Sequence, residues 1–250
     1  MSSSNDPELH QRPDAFPDTL WSEVVAAANH PAPSSKPALE NLCARYWFPL
    51  YSYIRRNGRD RDEAEDLTQA FFSRLLQKGY LTDYRRERGK FRTFLLACLK
   101  HFLANERDWA SAQKRGGGKP ELPLEFDINN AEQKLLYDPP DNLTPEVLYE
   151  RQWAFSVLAQ VQARMEREFE RGGRSRHFAQ LRAFITDEDN PLPYRGIAAS
   201  LGISEGSLKV TVHRLRRRFR ELLRDEILQT VLSQEEAQEE LGFLMSVLRH

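Results

Sequence analysis

The chain has 250 residues, of which 40% are hydrophobic and 29% charged, and this allows one large packed domain or two small ones. Its 36 Lys and Arg are balanced by 37 Asp and Glu, so any attraction to nucleic acid must come from local basic clusters. No apolar run approaches the ~20 residues of a membrane helix, and residues 1–18 lack a signal-peptide core, so we expect a soluble cytoplasmic protein.

The chain begins with a terminal extension that leads into a helical domain. Residues 1–37 contain a Ser-, Pro- and Asp-rich tail and one short helix, predicted over residues 19–28. From residue 38, apolar side chains recur every three to four positions, which predicts a helix to about residue 58 and another over residues 61–78. One side of this second helix carries an acidic and polar line that consists of Asp62, Asp66, Gln69 and Ser73. Taken alone, such a line indicates a solvated helix face.

A run of alternating basic and aromatic residues follows in residues 80–94. Unpaired bases stack on aromatic rings while cations follow the backbone, so this composition suits single-stranded DNA, with an ordinary surface loop as the alternative. The next helix, predicted over residues 94–109, is apolar nearly all round and should be central in its bundle. Lys100, His101, Asn105 and Arg107 form its polar edge.

Residues 114–144 are basic at first, then rich in proline and acidic residues, and predict a flexible linker. Thr144 and Pro145 predict the start of a long helix, because proline is tolerated in a first turn. We place a second helical domain at residues 145–228 and a C-terminal helical extension at residues 229–250. The extension either packs on its own domain or docks a partner helix.

The strongest local pattern is a helix-turn-helix in residues 194–223. Gly202 stands where a helix ends in left-handed backbone, and Ser204 stands where a hydroxyl caps the next helix. In that helix, apolar residues follow helical spacing while Lys209, His213 and several arginines lie on the other faces. The pattern predicts a helix for the DNA major groove, with a two-helix corner bearing a solvated basic face as the alternative.

No residue pattern predicts catalysis or a bound cofactor. The two cysteines, Cys43 and Cys98, have neither disulfide nor zinc-site spacing, and the six histidines are scattered. We find no nucleophile–base pair and no clustered carboxylates for a two-metal site. We therefore expect no enzyme activity, no metal and no cofactor, and we rank a nucleic-acid enzyme last among the functions considered.

Three stretches together resemble bacterial RNA polymerase sigma factors of the sigma-70 family, extracytoplasmic-function type. AEDLTQAFF (64–72) is similar to the polymerase-binding helix of that family, and GKFRTFLLACLKHFLANERD (89–108) to its −10 recognition and melting segment. Residues 194–223 resemble its −35 reader. The resemblance implies an all-α fold with two helical domains, region 2 at residues 38–113 and region 4 at residues 145–228.

The resemblance also implies site residues. Those expected to bind core polymerase are Asp62, Glu65, Asp66, Gln69, Phe72 and Ser73. Those expected to bind the −10 single strand are Arg85, Arg86, Arg88, Lys90, Phe91, Arg92, Lys100, His101, Asn105 and Arg107. Those expected to bind the −35 duplex are Arg195, Ser204, Ser207, Lys209, Val210, Thr211, His213, Arg214, Arg217 and Arg218.

The resemblance implies a sigma factor that binds core RNA polymerase, through its β′ clamp helices and β flap, and melts promoter DNA at the −10 element. The alternative is a helix-turn-helix regulator that binds duplex DNA and never joins polymerase. The C-terminal extension exceeds a minimal sigma factor of this type. It is a candidate contact for an anti-sigma factor or another regulator, or a replacement for a separate anti-sigma protein.

Overall fold

The computed structural model describes residues 35–75, 90–105, 127–136, 143–186, 194–231 and 233–249. Every regular element in these ranges is an α-helix, which confirms the predicted all-α fold class. The helices are α1 (Ser35–Arg56), α2 (Arg61–Leu75), α3 (Phe91–Ala104), α4 (Ile128–Leu136), α5 (Pro145–Arg171), α6 (Ser175–Leu181), α7 (Ala183–Thr186), α8 (Tyr194–Leu201), α9 (Glu205–Leu228) and α10 (Gln234–Arg249). None of these helices is long and apolar enough to cross a membrane.

Side-chain oxygens cap the starts of several helices, as the sequence predicts. The Thr144 hydroxyl accepts a hydrogen bond from the Val147 N–H at 3.3 Å, with Pro145 in the first turn of α5. The Ser233 hydroxyl accepts one from the Glu236 N–H at 3.1 Å at the start of α10. Such caps satisfy backbone donors that have no partner within the helix.

Two helix predictions need correction. Helix α3 begins at Phe91, three residues before the predicted start, because the N–H groups of Thr93 and Phe94 both donate to the Lys90 carbonyl. The predicted linker contains helix α4, which is capped by the Asp127 carboxylate and buries Ile128 and Ala131. Its apolar face has only two strongly buried residues, so the sequence signal for a helix was weak.

The helices of the two predicted domains share one buried core. The 27-residue helix α5 packs along α1 and also contacts α9 and α10. Aromatic rings fill much of the α1 side: Trp47 stacks on Tyr51 at 5.0 Å, and Tyr46 meets Phe91 edge-on at 5.3 Å. In this arrangement the predicted region 2 and region 4 lie against each other.

A buried ion pair joins these two parts. Arg45 of α1 is 1% exposed, and its guanidinium binds the Glu226 carboxylate of α9. The same guanidinium donates to the Glu226 carbonyl at 3.2 Å and to the Gln160 side chain of α5 at 3.1 Å. Because buried charges are tolerated only when they are paired and hydrogen-bonded, this cluster fixes how α1, α5 and α9 meet.

Several sequence predictions lie outside the described residues. They are the helix over 19–28, the first part of the basic-aromatic run with Arg85, Arg86 and Arg88, and the residue Arg107. The basic start of the predicted linker, residues 114–119, also lies outside.

Candidate nucleic-acid interface

Backbone chemistry at the turn sets the angle between α8 and α9. Gly202 has a φ of +68°, a left-handed conformation that costs a residue with a Cβ atom. The Gly202 N–H donates to the Ala199 carbonyl at 3.2 Å and the Ile203 N–H to the Ala198 carbonyl at 3.0 Å, which closes the end of α8. The Ser204 hydroxyl then accepts from the Ser207 N–H at 3.1 Å and starts α9. The predicted turn chemistry is confirmed.

Helix α9 has one buried and one exposed side. Leu208, Val212 and Leu215 are buried against the rest of the chain. On the other side lie four exposed residues that are predicted to bind the −35 duplex and that we call the reading face: Lys209, Val210, with 51% of its surface exposed, His213 and Arg214. Arg195, Ser204 and Ser207 are exposed nearby, and the half-buried Thr211 donates its hydroxyl proton to the Ser207 carbonyl at 2.9 Å. The helix therefore presents an exposed and largely polar face, and an α-helix is an element that the major groove of DNA admits.

The arginines further along α9 differ in their surroundings. Arg217 is 73% exposed on its side chain and pairs with Glu221 one turn later, at 3.0 Å. Arg218 binds Glu168 of α5 at 2.6 Å, and this hydrogen bond raises the pKa of Arg218 and lowers that of Glu168. Of these two residues, both predicted to bind the −35 duplex, Arg217 is the more accessible, while Arg218 also holds α9 on α5.

The predicted acidic and polar line lies on the exposed side of α2. Asp62, Asp66 and Gln69 are exposed, and the Gln69 amide donates to the half-buried Glu65 carboxylate at 3.3 Å. Ser73 continues the line and is half-buried. These side chains form a solvent-exposed polar surface along one helix. Such a surface suits a protein interface of modest area from which the partner can dissociate.

Phe72 occupies a different environment from the other predicted polymerase-binding residues. Its side chain is 0% exposed, and its ring packs edge-on against Phe71 at 6.0 Å. In this arrangement Phe72 is a core residue and does not contribute to the surface of α2.

The described part of the predicted −10 segment is largely buried or paired. Phe91 is 2% and Arg92 6% exposed, and Arg92 forms ion pairs with Glu150 and Glu240. Lys100 pairs with Glu146 of α5 at 2.7 Å, and this contact raises the pKa of Lys100. His101 and Asn105 are exposed and bonded to each other at 2.9 Å.

Sequence reasoning missed the charged residues that connect the helices. Arg45, Glu226 and Glu240 each stand beside apolar residues of a buried stripe, so periodicity alone assigns them to helix edges. Arg45 gave a local signal, because it is a single charge within an otherwise apolar stretch, whereas Glu226 and Glu240 lie among other charged residues. Such a charge requires a partner of opposite sign when it is buried.

Among the residues that the structure describes, no group of three His, Cys, Asp or Glu side chains is placed to hold a metal ion. Burial raises the pKa of the Cys43 thiol to about 12 and that of Cys98 to about 11, so both thiols stay protonated at neutral pH.

Residues 42–108 match the family model for sigma-70 region 2. No curated protein and no solved structure matched the chain. The matched segment contains α2, with its exposed acidic line, and α3, with the predicted −10 residues.

Proposed function

We propose that the chain is a member of the sigma-70 family of non-enzymatic transcription initiation factors and acts as a complete promoter-reading sigma factor; the match of residues 42–108 to sigma-70 region 2 supports this. In this proposal it joins bacterial core RNA polymerase in the cytoplasm and recognises −35 and −10 elements. The finer assignment is to the extracytoplasmic-function type, enlarged by a C-terminal extension.

The observation that carries the proposal is that region 2 and a helix-turn-helix with an exposed reading face occur in one chain. A duplex-DNA regulator would need only α8 and α9, so that hypothesis leaves region 2 without a role. A sigma factor uses both, since it must hold two promoter elements at a fixed separation while attached to polymerase.

Three surfaces divide the work. The exposed side of α2 (Asp62, Asp66 and Gln69) docks on the β′ clamp helices, and the second domain also contacts the β flap. The exposed face of α9 holds the −35 duplex through phosphates and a few base edges. The −10 segment around α3 binds the non-template strand better as a single strand than as a duplex.

Promoter opening then follows from differential binding. Flipping a base out of the stack costs a few kcal/mol, which stacking and pocket contacts must offset. The protein can shift the closed–open equilibrium only by its preference for the open strand. This mechanism requires no reaction at any residue of the chain.

Core binding by the α2 face is tested directly with Asp66→Ala/Gln69→Ala. We expect this double variant to co-purify with core polymerase about tenfold less efficiently than the wild type, because both side chains lie in the docking surface. A matched control is Gln162→Ala/Glu166→Ala, which removes the same types of side chain from an exposed part of α5. The control should bind core like the wild type.

Failure of the wild-type chain to co-purify with core polymerase would favour the duplex-DNA regulator instead. Equal core binding by the wild type and both variants would keep the sigma function and place the docking surface elsewhere. Circular dichroism of all three proteins separates loss of binding from loss of folding.

A further inference from the structure

Helix α10 covers the start of α3 with a buried carboxylate. Glu240 is 1% exposed, and its carboxylate accepts a hydrogen bond from the Arg92 Nε at 2.5 Å. The same carboxylate lies 3.0 Å from the Lys90 ammonium, which Glu239 approaches at 3.7 Å. A carboxylate this deeply buried is unfavourable unless it is paired. Lys90 and Arg92 therefore form a binding site for one anionic group, and the Glu240 carboxylate occupies it.

The Arg92 side chain is held on every side. Its guanidinium lies over the Phe243 ring of α10 at 3.8 Å and 5.1 Å from the Trp153 ring of α5. Glu150 of α5 accepts from its Nη1 at 2.9 Å, and the Tyr149 hydroxyl donates to the Arg92 carbonyl at 2.9 Å. The charge of this guanidinium is therefore paired with carboxylates of the same chain, and its faces contact aromatic rings of the same chain.

The same pairing extends along α3. The structure describes three Lys or Arg residues of the proposed −10 surface, namely Lys90, Arg92 and Lys100. Each is paired with a carboxylate from α5 or α10: Glu239 and Glu240 for Lys90, Glu150 and Glu240 for Arg92, and Glu146 for Lys100. A cation held by a buried carboxylate, as Lys90 and Arg92 are by Glu240, releases no counterion from DNA and adds nothing to affinity. The Lys100 pair is about half exposed and is correspondingly weak.

We propose that α10 is a built-in inhibitor of the −10 segment, with Glu240 occupying the place of a DNA phosphate between Lys90 and Arg92. The proposal rests on the proposed function of region 2. Single-stranded DNA and α10 compete for the same cations, so strand binding requires α10 to leave. The chain then exists in two states, one with α10 packed on α3 and one with α10 detached. A ligand shifts the equilibrium between them by the difference between its affinities for the two states.

The inhibitor is tested in the full chain with Glu240→Gln, which keeps the size of the side chain and removes its charge. The control is Glu235→Gln, which removes the same charge from an exposed position of α10. Binding of a fluorescent 20-nucleotide DNA strand of random sequence is followed by anisotropy over a range of salt concentrations.

We expect Glu240→Gln to bind the strand about tenfold tighter than the wild type, with Glu235→Gln unchanged. Its plot of log affinity against log salt should also be steeper by about 0.7, the contribution of one cation on single strands. Detachment of α10 frees Lys90 from both of its carboxylates, whereas Arg92 keeps its pair with Glu150 of α5. Equal affinity and slope for Glu240→Gln and wild type, or an equal gain for both variants, would overturn the proposal.

Hydrogen exchange of the wild-type chain provides a second test that needs no variant. Amides of residues 234–249 should lose protection when saturating random-sequence strand is added, since the strand displaces α10. Unchanged protection at saturation would overturn the proposal even if Glu240→Gln fails to fold. Core binding is measured in parallel, which separates the test of the sigma function from the test of the inhibitor. A chain that binds core polymerase but shows no effect of Glu240→Gln is a sigma factor without this inhibitor.

Discussion

Replacing Arg45 by methionine is expected to lower the free energy of unfolding by about 3–5 kcal/mol, the range found when one partner of a buried ion pair is removed. The guanidinium holds the Glu226 carboxylate, the Glu226 carbonyl and Gln160, which belong to α9 and α5. Without it, Glu226 stays buried, and the cation left beside it among the described residues is Arg164, at 3.6 Å. The penalty comes mainly from this buried carboxylate, which then has lost its closest partner.

Urea unfolding followed by circular dichroism measures this loss. Arg217→Met is the control, because its side chain is 73% exposed and its pair with Glu221 should contribute no more than about 0.5 kcal/mol. The double variant Arg45→Met/Glu226→Leu should recover much of the loss, since it removes both charges. An Arg45→Met protein as stable as Arg217→Met would contradict the role given to the pair.

Removing the two cations of the α9 reading face is expected to reduce transcription from the preferred promoter strongly. A base contact by Lys or Arg is worth about 1–3 kcal/mol, so Lys209→Ala or Arg214→Ala should each lower promoter affinity roughly 5- to 150-fold. Both side chains are exposed, so neither substitution should affect folding. Core binding should be unchanged, because the α2 surface is untouched.

Run-off transcription and core co-purification are measured side by side for this test. Arg176→Ala is the control, an exposed arginine on α6 outside the helix-turn-helix. If Lys209 or Arg214 contacts a phosphate and not a base, its loss will lower affinity equally for all DNA sequences. The plot of log affinity against log salt will then also be shallower by about one. Equal loss of transcription and core binding would contradict the assignment of these residues to the −35 element.

The helix-turn-helix was predictable from sequence because its determinants are local. Gly202 and Ser204 fix the turn through backbone geometry within a few residues, and the apolar period of α9 shows which side faces inward. The exposed positions of Lys209 and Arg214 follow from the same period. No information from distant parts of the chain is needed for any of these.

The packing between helices was not predictable in this way. Arg45 and Glu226 lie 181 residues apart, and Arg92 and Glu240 lie 148 apart, so no periodic pattern links the partners. The family resemblance placed Phe72 among the polymerase-binding residues, whereas the fold buries its side chain in the core. A basic run in the sequence shows that cations are present, but not whether carboxylates of the same chain already bind them.

The most direct test of the central claim is transcription by reconstituted holoenzyme. Purified chain is mixed with bacterial core RNA polymerase on a library of templates with randomised upstream sequence, and the RNA products are sequenced. We expect transcripts that start at a fixed distance from two enriched elements, near −10 and −35. No transcript above core alone on any template, from a chain shown to be folded, would contradict it.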